Sequence, residues 1–347
     1  MKIAIALFNL GGPDRPEAVE PFLYNLFNDP AILRVPAILR RFLARLISRR
    51  RAPKARGIYA RIGGGSPLLP NTLAQARALE AALSDLGDVR AFPVMRYWHP
   101  MTDAAVSEIA AFGPDRVILL PLYPQFSTTT TASSLEAWRT EASRQGFRAP
   151  TRTLCCYPVE SGFVAALADL TATAVAAAAA NGRPRILFSA HGLPEKVVKS
   201  GDPYQWQVER TAQAVMAIVG DAAADHVVCY QSRVGPLKWI GPSTEDELHR
   251  AGRDRVATIV VPLAFVSEHS ETLVELDLEY AEIAKEAGIP AYFRVPTVST
   301  HPAFIAGLAV LARRALARGD ATPAPDGDAR ICPPSWTGCP CRAKPAA

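Results

Sequence analysis

The chain has 347 residues, of which 49% are hydrophobic and 20% charged, with a formal net charge of +5. That length exceeds the roughly 250 to 300 residues at which one core stops growing, so it implies two domains or a duplicated architecture, and the composition excludes a disordered chain. The basic excess sits in one place: residues 34–61 hold ten Lys or Arg and no acid, with no nucleic-acid motif beside them, so no nucleic-acid partner is expected.

Met1-Lys2 and the apolar residues 3–8 imitate a signal peptide, but the run stops at Asn9-Leu10-Gly11-Gly12-Pro13 without a small-residue cleavage site and reads as a first strand. Strand-like runs follow at 90–97, 116–123 and 152–156, then at 185–191, 226–231, 256–265 and 291–295, separated by helix-length segments. This alternation predicts two similar doubly wound α/β lobes of Rossmann-like type with parallel sheets, an N-terminal lobe over 1–160 and a C-terminal lobe over 161–318. Residues 319–347 form a Cys-containing extension. No stretch approaches the roughly 20 apolar residues of a membrane span, because the Ala-rich run 163–180 carries Asp169 and stops at Asn181-Gly182. A cytoplasmic location is expected. Ligands of such sheets bind at the carboxyl ends of strands, which makes the cleft between the lobes the default site. Gly11-Gly12-Pro13 departs from the dinucleotide fingerprint and Pro13 lacks an amide donor, so no nucleotide is expected.

Residues 267–282 read as a helix, with Glu268, Glu271, Glu275, Glu279 and Glu282 forming one stripe. Such a stripe is a solvated face, or, where it fronts a cleft, a path for a hard cation or for protons. His269 sits at the start of this helix and meets Glu271 only if the first turn is irregular. His191 closes the apolar run 186–190 before the turn Gly192-Leu193-Pro194, which leaves its imidazole at a strand tip. Residues 28–54 alternate Ile, Leu, Val and Phe with arginines, as an amphipathic helix packed on its own lobe does, or as one that dips into a lipid surface. Cys332, Cys339 and Cys341 cluster in the Pro-rich tail, which in a cytoplasmic protein points to metal or redox chemistry before disulfides. Cys229, mid-strand, reads as a packing residue.

Seven segments then carry a resemblance. Leu7-Phe8-Asn9-Leu10-Gly11-Gly12-Pro13, Tyr59-Ala60-Arg61-Ile62-Gly63-Gly64-Gly65-Ser66-Pro67, Met95-Arg96-Tyr97-Trp98-His99-Pro100 and Leu122-Tyr123-Pro124-Gln125-Phe126-Ser127 lie in the first half. Ser189-Ala190-His191-Gly192-Leu193-Pro194, Gln231-Ser232-Arg233-Val234-Gly235-Pro236 and Ser267-Glu268-His269-Ser270-Glu271-Thr272-Leu273 lie in the second. In this order they resemble the signature segments of the ferrochelatases, over roughly residues 3–310. The resemblance implies a two-lobed chelatase fold that inserts ferrous iron into protoporphyrin IX. It implies His191 and Glu271 as catalytic residues facing each other across the ring, and Glu268, His269 and Glu275 along a metal path. By the same likeness Leu10, Arg51, Tyr59, Ser66, Arg96 and Tyr123 bind the porphyrin, and residues 28–54 form an active-site lip that touches membrane lipid. The tail resembles the extension of ferrochelatases that hold a 2Fe-2S cluster through Cys332, Cys339 and Cys341. The internal cysteine of the animal members falls at Thr128, so the fourth ligand is assigned to Cys155 or Cys156, with Cys155 preferred. The rival readings are coproporphyrin or another tetrapyrrole as substrate, and a carrier without chemistry, which needs neither the base nor the acidic relay.

Overall fold

The structure is a computed structural model that describes residues 1–233, 235, 237–318, 323–325 and 329–341. Val234 and Pro236 of the sixth signature segment, and residues 319–322, 326–328 and 342–347 of the extension, lie outside the described residues. The chain divides into two units, one comprising Met1–Cys156 with Leu308–Arg330 and the tail from Pro340, the other Tyr157–Gly307 with Ile331–Cys339.

The first unit is built on strands β1 (Lys2–Asn9), β2 (Asp88–Met95), β3 (Arg116–Pro121) and β4 (Thr151–Thr153), all parallel in the order β2-β1-β3-β4. Residues 3–8 are all 0% exposed, as expected of a central parallel strand covered on both faces, and this is why the run reads as continuously apolar. Helices α1 (Val19–Phe27), α2 (Ala37–Ala60), α3 (Leu68–Ala82), α4 (Thr102–Phe112) and α5 (Thr131–Arg144) flank it. Phe8, Val106, Ile109 and Trp138 build the core on the α4 and α5 side. Helix α2 buries Ala44, Ser48, Ala52 and Tyr59, while Ile38 and Phe42 at its start are 85% and 65% exposed.

The second unit repeats the plan. Strands β5 (Arg185–His191), β6 (Asp225–Gln231), β7 (Thr258–Pro262) and β8 (Tyr292–Arg294) are parallel in the order β6-β5-β7-β8. Around them lie α6 (Ser161–Ala178), α7 (Glu195–Lys199), α8 (Tyr204–Val219), α9 (Thr244–Asp254), a π-helical segment Glu271–Glu279 and α10 (Tyr280–Glu286). Leu187, Val260, Leu248, Leu276 and Tyr280 form the core beneath the last two. Helix α11 (Pro302–Ala317) is the last helix among the described residues.

One expectation is corrected. The helical stretch Ser161–Asn181 is long and apolar enough, by length and composition, to cross a membrane, because its many alanines outweigh Asp169. In the fold one face of it packs on the core: Phe163, Leu167 and Thr171 are 0% exposed, and Phe163 packs edge-on against Tyr157, while much of the rest of the stretch is exposed.

Candidate active site

In the second unit β5 and β6 end in register, with His191 opposite Gln231. Chain polarity therefore delivers His191, Gln231-Ser232 and the segment after β7 to one edge of the sheet. The π-helical segment begins there at Glu271 instead of continuing the expected α-helix from 267. Its wider winding changes which carboxylates meet. Glu268 turns to Arg294, at 2.6 Å, and accepts the Thr297 amide at 3.0 Å; Glu279 and Glu282 are exposed; only Glu271 and Glu275 converge. The five-residue stripe expected on an α-helix is thus reduced to a pair.

His191 Nδ1 and Glu271 Oε2 lie 2.9 Å apart. The two side chains form a direct hydrogen-bonded pair. With Nδ1–H donating to the carboxylate, Nε2 presents its lone pair. Burial opposes charge on the imidazole, but the charge and hydrogen bond of Glu271, with Glu275 beyond, outweigh it and raise its pKa. Burial likewise pushes Glu271 up, yet His191, His269 and the Ser232 hydroxyl hold it down to about 2.

Glu275 differs. Burial and the neighbouring Glu271 charge raise its pKa in spite of the Ser232 donors. Its Oε1 accepts the Ser232 amide at 2.8 Å and the Tyr280 hydroxyl at 3.0 Å, and its Oε2 accepts the Ser232 hydroxyl at 2.5 Å and Gln231 Nε2 at 3.1 Å. Ser232 adopts φ +59°, a left-handed conformation that few non-glycine residues take, and its two bonds to Glu275 hold it there. His269 is 8% exposed with Nδ1 buried and unpartnered, its ring edge-on to Phe265 at 4.6 Å, and burial lowers its pKa. The group therefore holds an imidazole hydrogen-bonded to a carboxylate, a second carboxyl that takes protons more readily than usual and a second imidazole whose charged form is disfavoured by burial. The contacts of Ser232 and Tyr280 with Glu275 are not legible as chemistry in the sequence; Ser232 is signalled by its place in the sixth signature segment, at the end of a strand next to the one bearing His191.

The other expected residues lie in the first unit, mostly at the same edge of its sheet. Leu10 follows β1 and packs with Ala18, Phe22, Tyr97 and Trp98. Arg96 follows β2, its amide donating to the Asn9 carbonyl; its guanidinium sits 2.8 Å from Asp29 and donates to the Ser133 hydroxyl at 2.7 Å. Asp29, 3% exposed, also accepts the Tyr97 hydroxyl and the Ser133 hydroxyl. Tyr123 follows β3, and burial raises the pKa of its phenol. Ser66 donates its amide to Pro13 and fills the space beside Gly12 where a Cβ would stand. Tyr59 is buried with Val19 and Ala52. Arg51, on α2, holds its guanidinium over the Phe27 ring at 5.5 Å.

The cysteines form a second locus. Cys155 Sγ stands 3.2 Å from both Cys156 Sγ and Cys341 Sγ, all three buried. β4 ends at Thr153, short of the expected 156, so Cys155 and Cys156 lie past the strand and do not alternate across it. In the second unit Cys332, 3% exposed, accepts a hydrogen bond from Gln207 Nε2 at 3.1 Å, while Cys339 is partly exposed. Thr128 and Pro340 line one cavity of about 720 Å³ with Arg96 and Ser133. Among the described residues no three or more His, Cys, Asp or Glu close into a group that could hold a metal ion. A set of thiols, buried except at Cys339 and with an amide donor on Cys332, suits iron–sulfur ligation in kind.

The ferrochelatase family model matches residues 2–316. The chain belongs to the ferrochelatase family. It is 53% identical over 344 residues to a ferrochelatase of Caulobacter vibrioides, covering 98% of each chain, and 51% identical over 347 residues to that of Phenylobacterium zucineum, covering 99% of this chain and 98% of the relative. Among solved structures, SirB from Bacillus subtilis with Fe3+ aligns at a TM-score of 0.53 with 14% identity, covering 91% of this chain and 96% of that one, a likeness of fold alone. As a ferrochelatase the protein is an enzyme that inserts iron into a porphyrin to make haem, with ferrous iron as a substrate.

Proposed function

We propose that this ferrochelatase uses protoporphyrin IX and that His191 is the base. The observation that carries this reading is the 2.9 Å contact between His191 and a Glu271 held ionised. Insertion replaces two pyrrole N–H protons by Fe2+, so two protons must leave for each metal bound. His191 Nε2 accepts a proton, and Glu271 stabilises the imidazolium that forms. Glu275, with its raised pKa, takes protons onward and is returned to its carboxylate by solvent. His269 and Glu275 are the metal-path residues beside this pair; Glu268, tied to Arg294, acts behind them. Leu10, Tyr59, Ser66, Arg96 and Tyr123 hold the porphyrin, and Arg51 pairs with a propionate.

Residues 28–54 form the lip. Exposed Ile38, Leu39 and Phe42 among arginines support a peripheral contact with anionic lipid on the cytoplasmic face, and a greasy lip suits protoporphyrin better than the more polar coproporphyrin. Cys332, Cys339, Cys341 and Cys155 hold a 2Fe-2S cluster, with Cys156 as the alternative fourth ligand. Such a cluster, when bound, joins the tail thiolates through iron.

Zinc insertion followed by porphyrin fluorescence tests the central reading. His191→Ala abolishes insertion while porphyrin binding, read by fluorescence quenching, persists, because a base acting on bound substrate contributes to the transition state more than to ground-state affinity. Turnover near that of the unaltered enzyme refutes it.

A further inference from the structure

β8 is an edge strand of the second sheet and is joined through β7 to β5, the strand that carries His191. Tyr292 and Arg294, two positions apart on β8, share one face of it, and both reach the segment that carries Glu271. The Tyr292 hydroxyl donates to the Leu276 carbonyl at 2.7 Å, a main-chain acceptor inside the π-helical segment. The Arg294 guanidinium, 13% exposed, bonds in two directions. Its Nε and Nη2 donate to the two carboxylate oxygens of Asp277 at 2.6 Å each, a bidentate fork, while Nη1 donates to Glu268 Oε1, also at 2.6 Å.

Glu268 and Asp277 stand on either side of Glu271 along the chain. Between Glu268 and Glu271 the turn is closed: the His269 amide donates to the Thr272 hydroxyl at 3.0 Å, and the His269 carbonyl accepts the Thr272 and Leu273 amides at 3.2 and 2.9 Å. From Glu271 the π winding runs unbroken past Asp277. In a continuous α-helix nine residues make two and a half turns, which would put positions 268 and 277 on opposite faces. Here the non-helical entry and the wider winding turn both toward Arg294. Glu271 thus rides on a stretch gripped before and after it by one side chain. That side chain and His191 belong to one hydrogen-bonded sheet, and the 2.9 Å contact of Glu271 with His191 closes the circuit.

We propose that Arg294 is a positioning residue for metal insertion: by holding Glu268 and Asp277 to β8 it keeps the Glu271 carboxylate on His191. This rests on His191 being the base. Arg294 touches neither His191 nor Glu271 and acts only through the segment it grips. Glu268 is then an anchor for the pair in front of it, which accounts for its turning to the sheet instead of joining Glu271 and Glu275.

Arg294→Lys tests this in the full chain, because one ammonium keeps the charge but cannot bond Asp277 twice and Glu268 as well. The expected result is a kcat for zinc insertion about fivefold to tenfold lower with KM for the porphyrin unchanged, since Glu271 drifting from His191 costs no more than their one charge-assisted bond. The acid limb of the kcat profile moves to lower pH, because Glu271 is what raises the pKa of His191. Asp277→Asn weakens the same fork from the other side, keeps the shape and gives both changes, and the double variant loses no more than Arg294→Lys alone. In a Glu271→Gln background Arg294→Lys no longer moves the acid limb. A purely structural ion pair would lower the yield of active enzyme and leave the acid limb in place, and that result overturns the proposal. Unchanged kcat in either single variant, or losses that multiply in the double one, also overturns it. Full activity of His191→Ala would refute the base itself, a separate outcome.

Discussion

Replacing Glu271 by Gln is the sharpest test of the charged pair, because the amide keeps the shape and one acceptor oxygen and removes only the charge. The 2.9 Å bond to His191 is a single charge-assisted one, and the more distant contact from the Ser232 hydroxyl, at 3.5 Å, adds little. A hydrogen bond to a charged group contributes about 1.5 to 3 kcal/mol, and since Gln can still accept, the loss falls near the lower end, about 1.5 kcal/mol, or roughly tenfold in kcat. The pH dependence gives the sign independently. The base works when neutral, so kcat falls as pH drops through the pKa of His191. Glu271 raises that pKa; without its charge the opposing effect of burial remains, and the acid limb moves to lower pH. Initial rates of zinc insertion measured across pH 5 to 9 read both effects. Unaltered kcat, or an acid limb displaced to higher pH, refutes the pair as the source of basicity.

Glu282→Gln, on an exposed turn of α10, leaves kcat within about twofold in the same assay, as surface changes remote from a site do. Asp29→Ala leaves the Arg96 guanidinium and the Tyr97 hydroxyl without their buried acceptor and lowers stability by about 3 kcal/mol, read from urea midpoints. Changing Arg45, Arg49 and Arg50 to Gln weakens sedimentation with anionic liposomes by roughly 1 kcal/mol per charge at low salt; no binding at any ionic strength leaves α2 as ordinary packing. Protein purified without oxygen is reddish and loses its colour in Cys339→Ser, and because the sulfurs of Cys155 and Cys156 lie 3.2 Å apart, substitution of either one perturbs the visible spectrum.

The eight strands among the described residues are each foreshadowed in the sequence, and most clearly where a parallel strand buried on both faces is an uninterrupted apolar run, as in Ile3 through Phe8. His191 is legible for a related reason: a polar residue that closes such a run before Gly-x-Pro must stand at a sheet edge. The π-helical winding from Glu271 is not, since helical periodicity is read at 100° per residue and an i to i+5 pattern leaves no mark in composition. That is why five carboxylates were expected in line where two converge and Glu268 turns to Arg294, a partner 26 residues away. Likewise the meeting of Cys155, Cys156 and Cys341 depends on where β4 stops and on a contact spanning 186 residues, neither of which local pattern encodes.

The repeated strand order gives the two sheets equivalent positions that hold different side chains. β1 and β5 occupy the same slot, each flanked by the next two strands of its own unit, so Asn9 and His191 are topological counterparts at the tips of the two central strands. Asn9 is 5% exposed, donates its amide to Thr72 at 3.0 Å and accepts the Leu10 amide at 2.8 Å. It has no proton to exchange at any physiological pH. Two sheets of one strand order thus present different groups at equivalent points, a fixed polar anchor at one tip and a titratable imidazole at the other, so the slot itself does not dictate whether its last residue can exchange a proton.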